Sequence, residues 1–435
     1  MAILFQPQMQ KHCLIQPEFK RLRLGLHYGG ALAALFLFVF AAIGSGRAGA
    51  SRLFSEYGSS ADSLAATKRA FDLNPNDPEV HYNYAVRLAD AGQGDQATAE
   101  FERAASLRPA DYFLWQELGR AREESGDLQG AVTALRQAIG LAPDYSQPHW
   151  LLGNLLLRNG ESDSAFTEMR AAVRSDPTLF PLLNDLAWGV SAGDPQFVRD
   201  STQPVTDTER IALARFFILH QQIEAGMNML RTAAQISAEN RRAIISELIA
   251  RQEFQSAHSV WSMGFGAGEQ SKLAGLFDGG FEAAISFDNQ GFGWLPTQLT
   301  ETVHILVDPN EPQTGTRSLR IDYAGNFDTG VPVISQLVLL APQTHYQLSF
   351  AARTDKLVSA ALPVIAVSDA KSNLILAQTV PLFAGTNGWH EFAIDFDTPA
   401  TTEAVVIRIQ RQSCAVQPCP IFGRAWYDSF SLKQI

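Results

Sequence analysis

Residues 112–143 read YFLWQELGRAREESGDLQGAVTALRQAIGLAP. The stretch reads as two amphipathic helices, with Gly126 turning the corner, small Gly119 where the helices approach, and Pro143 ending the second helix. Moving outward, Pro75, Pro109, Pro143 and Pro177 recur every 34 residues. Units starting at Pro78, Tyr112 and Ser146 place Gly at the fifteenth position (Gly92, Gly126, Gly160) and a small residue at the eighth (Ala85, Gly119, Gly153). Alanine fills the twentieth (Ala97, Ala131, Ala165) and the twenty-seventh (Ala104, Ala138, Ala172). One such unit cannot bury its apolar face, so neighbours must stack.

These positions resemble the tetratricopeptide repeat (TPR) family, and the second unit keeps Trp115, Leu118 and Gly119 of its signature. The resemblance implies an α-solenoid whose concave groove, lined by the first helices, binds a protein partner. Carried over unit by unit, the groove candidates are Tyr82, Asn83 and Val86, then Phe113, Gln116 and Arg120, then Trp150, Asn154 and Arg158. The plainer alternative for any one of them is packing on a neighbouring helix. An earlier, degenerate unit over 44–77 keeps Ser51, Gly58, Ala70 and Pro75. After Thr178 the period lapses, yet helical pairs continue: 208–222 with 223–236, then 238–251, capped by Ser237, with 253–263. The Gly-rich stretch Gly264 to Gly268 and the turn Asp278-Gly279-Gly280 mark a boundary near 270–277.

At the other end, Leu24 to Ile43 is almost wholly apolar, and Ala31 to Ile43 carries no polar residue. About 20 such residues span a bilayer. Lys11, Lys20, Arg21 and Arg23 precede the segment, and Arg47 and Arg52 follow it, so the positive-inside bias puts the N-terminus in the cytoplasm and the bulk of the chain outside. The expected location is a bacterial inner membrane, single-pass, with a periplasmic body. A cleaved signal peptide is the alternative, since Ala48-Gly49-Ala50 has the form of a cleavage site. Gly44 to Gly49 formally spells GxGxxG, but no strand precedes it and the dinucleotide reading fails.

From Leu276 the period becomes that of strands: 318–323, 333–340, 346–352, 363–367, 389–396, 405–410 and 425–432, separated by turns rich in Pro, Gly, Asn and Asp. Such a series indicates an all-β sandwich. Asp278-Gly279-Gly280-Phe281-Glu282, Gly293-Trp294, Ser318 to Ile321, Leu340-Ala341-Pro342, Gly388-Trp389 and the closing Trp426-Tyr427-Asp428 are similar to jelly-roll carbohydrate-binding modules. That resemblance implies sugar recognition by stacking aromatics, for which Trp294, Tyr323, Phe327, Trp389 and His390 are candidates, Trp294 foremost. Core packing is the alternative for Trp389 and Trp426. The resemblance also implies a structural calcium, with Glu282 and Asp428 as ligands; the alternative is a pair of surface acids. The loop holding Cys414 and Cys419 is suited to a disulfide once exported, whereas no histidine lies close enough in sequence to suggest zinc.

The expected fold is multidomain α + β: a cytoplasmic basic tail (1–23), a transmembrane signal anchor (24–45), a TPR solenoid (46–179), a degenerate helical continuation (180–270) and a β-sandwich (276–435). GxxxxGK[ST], HExxH and CxxC are absent, and no enzymatic activity is expected. The formal charge of −11 argues against general nucleic-acid binding. Its basic excess sits in residues 1–59, with six basic and two acidic residues; residues 276–435 hold nine basic and 15 acidic, a net of −6. The whole reads as a membrane-anchored exported adaptor that binds a protein partner and a polysaccharide, with envelope or exopolysaccharide assembly as its setting by analogy of fold. A pure protein scaffold and, behind it, a glycan-acting accessory enzyme are the rivals.

Overall fold

The structure, a computed structural model, describes residues 18–266, 275–283, 285, 292–296, 301–415 and 418–435, with side chains from residue 31 onward. The first 17 residues of the expected tail, Cys13 among them, lie outside the described residues. The chain divides into two compact units, residues 1–187 and 188–435.

In the first unit, helix α1 (Glu18–Ser60) is unbroken. Its apolar stretch is exposed, and residues 31–60 are long and apolar enough to cross a membrane. Its C-terminal part packs on α2 (Leu64–Leu73): Ser51 and Ser55 are buried, and Ser51 Oγ donates to the Ala70 carbonyl at 2.7 Å. The apolar helix therefore runs into the first packed pair of the array with no linker.

Three regular pairs follow: α3 (Pro78–Asp90) with α4 (Gly94–Leu107), α5 (Tyr112–Glu124) with α6 (Leu128–Leu141), and α7 (Ser146–Arg158) with α8 (Ser162–Ser175). Asp77 and Asp111 cap α3 and α5 by accepting a backbone N–H of the first turn. Gly92, Gly126 and Gly160 take φ of +73°, +86° and +84°, which is why glycine recurs at the inter-helix turn. The 34-residue period also carries a polar device. His81 Nδ1 lies 2.5 Å from Glu100 Oε2 and its Nε2 2.8 Å from the Pro75 carbonyl; His149 repeats this with Glu168 and Pro143, at 2.6 and 3.0 Å. In the unit between, Trp115 Nε1 donates to the Pro109 carbonyl, and Ala134 replaces the glutamate.

Helix α9 (Phe180–Val190) spans the division of the chain. The second unit continues with α10 (Pro195–Thr202), α11 (Asp207–Leu219) with α12 (Ile223–Thr232), and α13 (Ala238–Ala250) with α14 (Phe254–Ser262). Ser237 caps α13, accepting from the Asn240 amide at 3.2 Å. Trp261 of α14 packs its ring on Phe265, Phe277 and Phe292, with centroids 4.8, 5.3 and 5.7 Å apart. These helices thus cluster with the sandwich, although composition changes near 270–277. The composition change marks where secondary structure switches, whereas the aromatic contacts carry packing across it.

The sandwich comprises β1 (Leu295–Pro296), β2 (Val303–Asp308), β3 (Ser318–Asn326), β4 (Ile334–Leu339), β5 (His345–Ser359), β6 (Pro363–Asp369), β7 (Ile375–Gln378), β8 (Gly385–Asp397), β9 (Ala404–Arg411) and β10 (Pro420–Gln434). They form two antiparallel sheets, ordered β1-β4-β9-β6-β7 and β2-β3-β10-β5-β8. Leu319, Ile321, Leu348, Phe350, Ile365, Val367, Ile407, Ile409 and Tyr427 fill the space between them. The seven expected strands are all present. The three that periodicity missed, β1, β2 and β7, are all sheet edges, where burial on one face is weakest. A disulfide joins Cys414 to Cys419 in the β9–β10 loop.

Candidate functional site

On the solenoid, Tyr82, Asn83, Val86, Trp150 and Asn154 are half-buried, and Phe113, Arg120 and Arg158 are exposed. The rings of Tyr82 and Phe113 lie 5.4 Å apart, joining neighbouring first helices. Burial, with Glu117 and Glu79 close by, pushes the Tyr82 phenol above its ordinary pKa. Gln116 is a correction: only 2 % exposed, it donates to Glu117 and has no face toward a partner. Its place in the first helix is taken inward because α5 packs on both sides.

The second site lies on the sheet β2-β3-β10-β5-β8, on the face away from the core. Along β10, Ala425 and Tyr427 point inward, so Arg424 and Trp426 point outward. Trp426 is covered by cations. The Arg353 guanidinium carbon lies 4.2 Å from its ring centroid and that of Arg320 5.6 Å, while the indole N–H donates to Asp308 Oδ2 at 2.9 Å. Burial would raise the Asp308 pKa, but the Trp426 and Asn310 hydrogen bonds and Arg320 hold it below the ordinary carboxylate value. Arg353 also sits 5.5 Å from the Trp389 ring, and its Nη1 meets Glu311 Oε2 at 2.7 Å. Trp389, Arg353, Trp426 and Arg320 thus form a row across β8, β5, β10 and β3.

Beside this row is a cleft of about 500 Å³. Ser349, Ala351 and Ala393 contribute small side chains to it, and Gln313, Thr314, Gln347, Glu391 and Ser429 supply amides, hydroxyls and one carboxylate. Ser349 pairs with Ala393 and Ala351 with Glu391 across β5 and β8. Trp389 lies two residues from Glu391 on the same face, half-buried and outside the lining of the cleft. Small side chains between polar walls leave room for a flat, hydroxylated ligand.

None of the five expected sugar-binding residues lines this cleft; Trp389 stands beside it, two residues from Glu391, with its indole N–H donated to the Glu311 carbonyl at 3.2 Å. Trp294 is 3 % exposed, packed 5.0 Å from Phe281 and from Phe430, with its indole N–H bonded to the Asp278 carbonyl. Tyr323 is in the core and Phe327 packs against it. His390 lies on the other side of β8, against Phe383. A tryptophan in a Gly-rich turn reads as exposed because turns lie at the surface, but here the turn folds its ring inward. The polar walls were missed, although the alternation in β5, with Tyr346, Leu348 and Phe350 inward and Gln347 and Ser349 outward, carried the signal.

Glu282 and Asp428 both approach Gly280. Asp428, fully buried, accepts the amides of Gln313 and Thr314 at 2.8 and 3.0 Å and of Ser429 at 2.6 Å. Glu282 accepts the Thr316 amide at 2.8 Å and its hydroxyl at 2.5 Å, and these bonds, the hydroxyl first, hold its pKa below the ordinary value. The two acids fasten the loop between β2 and β3 with lone pairs that a cation would need. Among the described residues no three His, Cys, Asp or Glu side chains gather to hold a metal. As arranged, the pair does not fit a calcium cage of roughly six to eight oxygens. Chelation by EDTA is therefore expected to leave the melting temperature within about 2 °C; a larger drop restored by calcium would show that the acids turn to a bound ion.

Parts of both halves of the chain match known protein families. Residues 117–179 match the tetratricopeptide repeat family, and residues 275–418 match a family described as a carbohydrate binding domain. Protein FlbA of Caulobacter vibrioides is 29% identical over 101 residues, covering 23% of this chain and 17% of that protein. Cellulose synthase operon protein C of Pseudomonas fluorescens is 23% identical over 124 residues, covering 27% and 10%. This chain matches under a fifth of the length of either relative. A solved structure described as "CBM4 structure and function" aligns at 15% identity and a TM-score of 0.28, covering 37% of this chain and 99% of that one. The chain carries tetratricopeptide repeats followed by a β-sandwich that resembles carbohydrate-binding domains.

Proposed function

We propose that this chain is a membrane-anchored, exported adaptor that holds a protein partner on the solenoid and a polysaccharide on the sandwich. The observation that carries the reading is the polar cleft on the open sheet face, with Trp389 on the same face two residues from its Glu391, in a chain that also bears an aromatic and polar repeat surface. The match to a carbohydrate binding domain supports it, as does the likeness to a cellulose synthase operon protein. The basic residues before the apolar helix support an inner-membrane anchor with its N-terminus in the cytoplasm. Domains of both kinds are typically non-catalytic, and envelope or exopolysaccharide assembly is the setting this combination suits.

The test is polysaccharide binding by the detergent-solubilised full chain. Trp389→Ala is expected to weaken binding about tenfold, the loss of roughly 1.4 kcal/mol of ring contact. Wild-type binding that Trp389→Ala leaves unchanged would remove the cleft from the reading. The burial of Trp294 and Tyr323 favours a second reading, in which the sandwich is a structural spacer, and no binding to any polysaccharide would select it.

A further inference from the structure

The charge character of the cleft narrows its ligand, an inference that rests on the polysaccharide-binding function proposed above. Among the residues lining the cleft, Glu391 is the only charged side chain. It is exposed, and its carboxylate has no hydrogen-bond or ion-pair partner among the described residues. The two arginines of the neighbouring row are engaged by other groups. Arg353 is tied to Glu311 and lies over the Trp426 ring, and Arg320 pairs with Asp322 and Asp308.

The neighbouring rows add to the same sign. Outward from Glu391 along β8 come Asp395, which accepts from Gln347, and Asp397, paired with His345. Lys433, opposite Gln347 in register, is the basic residue on the adjoining row and does not line the cleft. The sandwich as a whole is net negative. A uronate chain entering here would bring its carboxylates against Glu391, and no guanidinium or ammonium among the lining residues receives them. A sugar ammonium would instead complete a charge-assisted pair in a partly desolvated cleft, where such a pair is stronger than in open water.

We propose that the ligand of this cleft is a polysaccharide bearing free amino groups, with Glu391 receiving the ammonium and Trp389 offering ring contact to the neighbouring sugar. The hydroxyl and amide walls serve the remaining hydroxyls, as they would for any glycan.

The experiment titrates the full chain in detergent with four oligosaccharide probes of equal length: de-N-acetylated glucosamine oligomers, their N-acetylated counterparts, neutral glucan oligomers and uronate oligomers. The expected order places the amino probe about five- to tenfold tighter than the acetylated and neutral ones, with the uronate weakest, and the preference shrinking as salt rises. Glu391→Gln is expected to abolish the amino preference and leave neutral affinity in place, while Trp389→Ala weakens every probe. Equal binding of amino and neutral probes, or a preference that survives Glu391→Gln, overturns the inference and leaves the glycan-binding function standing. Failure of all four probes to bind overturns both.

Discussion

Replacing Arg411 with methionine is expected to lower the melting temperature of the β-sandwich by about 10 °C. Arg411 closes β9 and is only 1 % exposed. Its guanidinium donates to the carbonyls of Ala361, Phe327 and Cys419 at 3.1, 2.5 and 2.8 Å, to Ser359 Oγ at 2.8 Å and to Cys419 Sγ at 3.2 Å. None of these five acceptors is a carboxylate. One planar fork therefore ties the β3–β4, β5–β6 and β9–β10 loops to one end of the sandwich, and the disulfide loop with them. Methionine fills similar space but strands buried acceptors, a loss of about 3 to 5 kcal/mol. For a domain of this size each kcal/mol shifts the midpoint by roughly 3 °C.

Arg411→Lys keeps the charge but offers a compact ammonium in place of the fork, so it is expected to fall nearly as far. The transition can be followed by tryptophan fluorescence, since Trp294 and Trp426 are buried in this domain. A methionine variant that melts with the wild type would mean that water satisfies the stranded carbonyls and the network contributes nothing.

Gly153→Leu is the second large effect, and it falls on the other unit. A Cβ at Gly153 would lie 2.6 Å from Met169 Cγ and 3.0 Å from the Ala165 carbonyl, so α7 and α8 must separate to admit any side chain. Leucine is expected to cost about 3 kcal/mol or more by overpacking. Because each repeat is stabilised by its neighbours, the loss uncouples the array at the third pair. Helical circular dichroism should melt earlier, and partner capture by the solenoid should fail while glycan binding is retained, since the sandwich lies in the other compact unit.

Gly140 is the control. It is helical, no atom lies within 4 Å of where a Cβ would stand, and Gly140→Ala is expected to stabilise by about 0.5 to 1 kcal/mol through helix propensity alone. Equal, small effects at Gly153 and Gly140 would mean that the helix pair tolerates separation and that the small residue at the eighth place has no packing role.

The two glycines also show what could be read in advance. Gly153 falls in the 34-residue pattern and Gly140 does not, so recurrence alone distinguished a glycine required by close approach from one that is merely tolerated. The aromatics offered no such guide. Trp294, Trp389 and Trp426 stand in similar glycine- or strand-rich contexts, yet one is core, one stands beside the cleft and one is covered by arginines. Glu391 has no motif at all, and its role as the free charge of the cleft depends on Arg353 and Arg320 being occupied by other partners.

By itself, then, the sequence determined the apolar helix, the stacked helical pairs and the alternating strands, because each is a periodic pattern recorded within a few turns or one strand. Only the tertiary structure decided which sheet face stays open, that Trp294 turns inward, that Glu282 and Asp428 hold loop amides, and that the last helical pairs pack with the sandwich. These depend on what covers a face, and the covering residue, as with Trp426 Nε1 on Asp308 or Asp428 on Gln313, stands more than a hundred positions away in the chain.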